Sequence, residues 1–152
     1  MTTAPTLRVI STSRPPSWRL ELPAGLFLLN DNQRLHFRRK AEYIDLIRRA
    51  SALTAKAAKL PTFDRIHLYY VIHPKPGTRR RDPANWSPSA KAAVDGLVDA
   101  GILPDDNHTR LLGGDPRLGT PVKGSQLVLW LTDLDQMTPD HIALLNPPGD
   151  PS

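Results

Sequence analysis

Between Phe63 and His73 apolar residues occupy both sides of an alternating register. Ile66, Leu68, Tyr70 and Ile72 share one side, and His67, Tyr69, Val71 and His73 share the other. Apolar character on both faces belongs to a strand inside a sheet, so a central strand is expected here, closed by Pro74-Lys75-Pro76-Gly77. Trp18, Leu20 and Leu22 alternate with Arg19 and Glu21, which predicts a shorter strand with one polar face. Leu7 to Ile10 has strand-like residues too, separated from it by Pro15-Pro16. Gln126 to Thr132 predicts a final strand, and His108 to Leu112 a short one, followed by a Gly- and Pro-rich loop over 113–124.

Two stretches change period. From Phe37 to about Ala58, Ile44, Ile47, Ser51 and Ala55 fall on one helical face, while Arg38, Arg39, Lys40, Arg48 and Arg49 fall elsewhere. Pro61 stops this helix. A second helix is expected from Ser87-Pro88, with serine as N-cap and proline at the first helical position, to about Ala100. Gly101 suits the C′ position, and Ala90, Ala93, Val94, Leu97 and Val98 make the buried side. The order predicts an α/β fold: a small mixed β-sheet of about four strands with two α-helices. The pattern does not give the strand order.

The length of 152 residues fits a single domain spanning 1–152, with frayed ends at about 1–5 and 146–152. A formal charge of +5 and a pI near 9.9 favour a polyanionic partner. The absence of cysteine excludes disulfides, thiolate metal sites and cysteine nucleophiles. No apolar run approaches the roughly 20 residues of a membrane span.

Against this basic background, carboxylates gather in one stretch. Arg79-Arg80-Arg81-Asp82 leads to Asn85, Lys91, Asp95 and Asp105-Asp106. Arginines attract phosphate, and grouped carboxylates attract a hard divalent cation. Both together suit a phosphodiester, whose hydrolysis is slow until the developing negative charge is neutralised. Lys91 and Asp95 stand four apart, one above the other on the polar face of the second helix. Lysine-first is the weaker orientation for helix support, so stabilisation of the helix alone is a poor reason for the pair. Asp82 precedes this helix and Asp106 follows it. About 13 residues of helix span roughly 20 Å, so the two meet only where the flanking strands fold back. Asp45, Asp99, Asp115, Asp133 and Asp135 are read as solvent-facing or structural, and His67 and His73 as structural.

This spacing resembles the RusA family of Holliday-junction resolvases. The family shows Arg-Arg-Asp, Asp-Asn, lysine, Asp-Ala-Leu, Ala-Gly and Asp-Asp in order. The matching residues are Arg80-Arg81-Asp82, Asn85, Lys91, Asp95-Gly96-Leu97, Ala100-Gly101 and Asp105-Asp106, within the stretch from Arg79 to Asn107. Asn30-Asp31-Asn32-Gln33-Arg34-Leu35-His36 is similar to the family's asparagine-containing turn before its first helix. The resemblance implies a homodimeric, magnesium-dependent endonuclease, with manganese as a possible substitute, that nicks four-way DNA junctions in pairs during recombination and repair. It implies a cytoplasmic protein, bacterial or phage-encoded. Asp82 and Asp106 carry over as metal ligands and Lys91 as the basic catalytic residue, with Asp95 and Asp105 beside them.

One departure stands out. The family's second aspartate falls here on Ala84, and three extra residues separate Asn85 from Lys91. Alanine cannot bind metal, so either Asn85 or Asp95 fills the gap or activity is reduced. The carboxylate of Asp95 is the better magnesium ligand. Arg79, Arg80 and Arg81 are expected as phosphate contacts, and Asn32, Arg34 and His36 as further DNA contacts. His108 lies near the aspartate pair, and Trp86 is read as core or as a stacking surface. Two alternatives stay open: a non-catalytic protein that binds branched DNA, and a metal-dependent nuclease for another branched nucleic acid.

Overall fold

A computed structural model describes residues 17–78, 82–140 and 142. The expected strand over Leu7–Ile10, both frayed ends and Arg79, Arg80 and Arg81 lie outside the described residues. The elements are β1 (Ser17–Glu21), α1 (Phe37–Ala57), β2 (Ile66–His73), α2 (Ser87–Asp99), β3 (Leu111–Leu118) and β4 (Gln126–Asp133). Short 3₁₀ turns at Pro83–Trp86 and Leu134–Gln136 precede α2 and follow β4. No helix among the described residues is long and apolar enough to cross a membrane.

The four strands form one mixed sheet in the order β1-β4-β2-β3. β4 runs antiparallel to both β1 and β2, whereas β3 runs parallel to β2. β2 therefore sits inside the sheet, as its two-sided apolar pattern requires. Ile66, Leu68, Tyr70 and Ile72 are at most 2% exposed. They share one core with Leu20 and Leu22 of β1, Leu127, Leu129 and Leu131 of β4, Ile47 and Ala55 of α1, and Ala90, Ala93, Val94 and Leu97 of α2. Both helices thus contribute to the same side of the sheet.

The helices cross closely because small residues meet there. The buried Ser51 hydroxyl donates to the Ala93 carbonyl at 2.7 Å. A Cβ on Gly96 would stand 2.3 Å from the Arg48 carbonyl oxygen, so only glycine fits without a shift. Arg48 closes the crossing with a two-pronged pair to Asp99, one of its nitrogens lying 2.7 Å from Oδ1. Asp99 is exposed, as expected, but it is committed to a structural ion pair. Asp45 pairs with Arg49, Asp135 with Arg65 and Asp115 with His67, which accounts for those carboxylates structurally.

Two expectations need correction. The segment 113–118 is not loop: it forms most of β3, whose strand starts at Leu111 rather than His108. Pairing with β2 along one side holds it in the sheet as an edge strand despite Gly113, Gly114 and Pro116, and the register skips a residue opposite Leu68/Tyr69. Ser87 is not the N-cap of α2 but its first residue, because the 3₁₀ turn at Pro83–Trp86 runs straight into the helix. The side-chain cap belongs to Asp82, whose Oδ1 accepts from the Ala84 N–H at 3.1 Å.

Candidate active site

α2 presents Lys91 and Asp95 on one face, and the chain after α2 delivers Asp106 to them. Gly101, at φ +76°, reverses the chain where α2 ends, as its position after Ala100 predicts. Lys91 lies eight residues before Asp99, about 12 Å along the axis. The five residues from Ile102 to Asp106 span up to about 17 Å when extended, enough for the return. Ile102 and Leu103 are buried, and the Ile102 carbonyl accepts from the Phe63 N–H at 2.8 Å, which pins the returning segment to the start of β2.

The Lys91 ammonium lies 3.1 Å from Asp106 Oδ2 and 3.8 Å from Asp95 Oδ1. One cation is thus shared by two carboxylates, whose side chains are 29% and 30% exposed at Asp95 and Asp106. Their titrations are pulled apart. Burial, reinforced by the Asp106 charge, pushes the Asp95 carboxyl above its ordinary 3.8, against the opposing pull of Lys91. The hydrogen bond from Lys91 holds Asp106 below that value. The same bond, with the Asp95 charge, raises Lys91 above 10.5, so it stays an ammonium at neutral pH. Lys91 is therefore a binder of anionic oxygen and not a proton acceptor.

Beside this group a cavity of about 260 Å³ opens between α2 and the β2–β3 edge. Lys91, Asp106, Ser87 and Tyr70 line it, over Leu68, Val94 and Leu111. The Tyr70 hydroxyl donates to the Pro83 carbonyl at 3.3 Å, which ties the cavity wall to the residue after Asp82. Burial, and then the charges of Asp31, Asp82 and Asp115, raise the Tyr70 pKa above 10.0.

The remaining candidates divide. Asp82 makes no ion pair with Lys91, whose partners are Asp95 and Asp106, and its carboxylate is engaged in capping. Asp105 holds a turn, its Oδ1 accepting from the Asp106 N–H at 2.7 Å and its Oδ2 from the Asn107 amide at 3.0 Å. Asn85 contributes backbone: its carbonyl accepts from the Asp31 N–H at 2.8 Å. That bond fixes the Asn30–Gln33 turn against the 3₁₀ segment. Asn32 and Arg34 are exposed on this turn, and the His36 ring accepts from the Arg38 N–H at 3.2 Å to cap α1. His108 is exposed and makes no hydrogen bond among the described residues. Trp86 is half-buried and packs against the core.

Sequence reasoning missed Ser89. Its fully buried hydroxyl accepts from the Leu29 N–H at 2.6 Å and donates to the Leu29 carbonyl at 2.8 Å, stapling α2 to the segment that becomes the asparagine turn. A polar residue on the apolar side of α2, beside Ala90 and Ala93, was the available signal.

Among the described residues no three or more His, Asp or Glu side chains form a metal-holding group. The donors present nonetheless suit a hard cation. Two carboxylates converge on the Lys91 ammonium, and magnesium needs only one or two carboxylates when water and substrate phosphate complete its shell. No protein-family model matches the chain, and no curated protein matches it.

Proposed function

We propose that this chain is a magnesium-dependent endonuclease that nicks branched DNA, a divergent homodimeric relative of the RusA-type Holliday-junction resolvases acting in the bacterial or phage-infected cytoplasm. The observation that carries the reading is the convergence of Asp95 and Asp106 on Lys91, beside a cavity that Lys91 and Asp106 line. Asp95 and Asp106 would hold the metal, while Asp82, its carboxylate engaged in capping, is left out of the ligand set, and Asp105 fixes the turn that aims Asp106. A divalent cation held by these carboxylates would supply charge neutralisation at the phosphate and a more acidic water. Lys91, permanently charged, holds a phosphate oxygen and stabilises its developing charge. Arg79, Arg80 and Arg81, which precede Asp82 in the sequence, are the proposed phosphate contacts, and Asn32, Arg34 and His36 extend the contact from the turn held at Asn85.

A second reading has its own observation. The Asp82 carboxylate caps a 3₁₀ turn, and Ala84 stands where the family pattern has an aspartate, as a non-catalytic branched-DNA binder would allow. A synthetic four-way junction, incubated with and without magnesium, separates the two. Paired nicks that need the metal and disappear in Asp106→Asn support the nuclease. Tight binding without cleavage under magnesium or manganese supports the binder. Cleavage of flap or RNA substrates in preference to the junction moves the activity to another branched nucleic acid.

A further inference from the structure

A second cavity, of about 370 Å³, lies against the asparagine turn. Phe27, Asn30, Gln33, Lys75, Trp86 and Ser125 are among its lining residues. Its walls are mostly apolar, and two are aromatic. Phe27 is 39% exposed and stacks on Tyr43 with centroids 4.0 Å apart, which holds its ring in place. Trp86 belongs to the 3₁₀ turn that Asp82 caps.

The polar groups here are sorted. Gln33 is spent on the backbone: its Oε1 accepts from the Asn30 N–H at 3.0 Å and its Nε2 donates to the Leu28 carbonyl at 3.0 Å. Asn30 Oδ1 is spent on the Asn32 N–H at 2.9 Å. The Asn30 amide N–H₂, the Trp86 indole N–H and the Lys75 ammonium make no hydrogen bond or ion pair among the described residues. All three are donors. Donors around an apolar, aromatic-walled space suit a flat ring bearing carbonyl and ring-nitrogen acceptors, with an anion near the lysine. A free phosphate would leave the apolar walls unused.

We infer that this cavity receives one nucleobase unstacked from the strand at the branch point, held between Phe27 and Trp86 and read by Asn30, with Lys75 toward its phosphate. The inference rests on the nucleic-acid reading above and adds a base-recognition site distinct from the Lys91 group. The bond from Asp31 to the Asn85 carbonyl couples the two places, so a base seated here fixes the strand relative to α2.

Metal-free protein, which cannot cleave, is mixed with a four-way junction carrying 5-iodouracil at the branch point and irradiated, and cross-linked peptides are mapped by mass spectrometry. Cross-links at Phe27 or Trp86 are expected. Asn30→Asp keeps the turn acceptor but replaces the donor by a carboxylate. It should weaken junction binding about tenfold, the worth of one good hydrogen bond, and a junction abasic at that position should erase the difference. Binding with cross-links confined to other residues, or equal affinity of Asn30→Asp and wild type, overturns the base site and leaves the nuclease reading standing. Failure of the wild-type protein to bind the junction at all overturns both.

Discussion

Ser89→Ala removes one oxygen and orphans two buried groups. Ser89 is fully buried and Leu29 is 1% exposed, so neither the Leu29 N–H nor its carbonyl reaches water once the hydroxyl is gone. An unsatisfied buried backbone group costs about 1–3 kcal/mol, so the pair predicts a loss of about 2–6 kcal/mol. In a chain this long that lowers the melting temperature by about 4–24 °C. Ser51→Ala is the matched control. Ser51 is just as buried, but its hydroxyl only adds a second donor to the Ala93 carbonyl, which α2 already bonds internally. That variant should lose only about 1 kcal/mol. Urea unfolding followed by circular dichroism gives both numbers, provided the slope against denaturant is unchanged. If Ser89→Ala falls no further than Ser51→Ala, the staple between α2 and the asparagine turn does not carry the energy assigned to it.

Asp95→Asn should abolish metal-dependent cleavage while leaving stability at neutral pH unchanged or slightly raised, because it removes a charge that burial disfavours; an equilibrium unfolding curve shifted to lower denaturant would contradict this. In metal-free protein, carboxyl NMR titration should place Asp95 above 3.8 and Asp106 below it. The signs follow. Asp106, depressed on folding, stabilises above its unfolded value and loses that as pH falls through its folded one. Asp95, raised on folding, costs stability at neutral pH, and the cost shrinks as pH falls through its folded value. Gly96→Ala should destabilise by about 1–2 kcal/mol, because overpacking against the Arg48 carbonyl and the Ser51 Cβ outweighs the gain in helix propensity; a thermal melt at or above wild type would refute the close crossing.

The parts of the fold that were legible are those where one face decides the residue. β2 could be read because its two sides carry Ile66, Leu68, Tyr70, Ile72 and the His67–His73 set without a break. α1 could be read because Ile47, Ser51 and Ala55 recur on one stripe. β3 could not. Its Gly113-Gly114-Asp115-Pro116 carries turn chemistry, and only pairing with β2 makes it a strand. Gly113 sits at φ +98°, where a Cβ would stand 2.3 Å from the Leu68 carbonyl oxygen, so the glycine that reads as loop is what lets the edge strand approach. Gly96 hides in the same way: it replaces the alanine of the motif without altering the pattern, yet it sets how near α1 comes to α2.

For the site, the i,i+4 spacing gave Lys91 and Asp95, and Gly101 gave the reversal that returns Asp106. What the spacing could not give was which aspartates lack a cation of their own. Asp45, Asp99, Asp115 and Asp135 look no different in sequence from Asp95 and Asp106. Folding supplies each of the first four with a basic partner: Arg49, Arg48, His67 and Arg65. Asp95 stands one turn before Asp99 on α2, but Asp99 takes the two-pronged bond from Arg48. Asp95 is left to share Lys91 with Asp106, and at 3.8 Å it holds the weaker half of that share. Two carboxylates around one ammonium leave a unit of negative charge uncompensated in a partly buried place, on a chain whose overall charge is +5. Burial makes that excess costly. An additional cation would remove the cost, so the charge imbalance, more than the number of acidic residues, supports the metal proposed at Asp95 and Asp106.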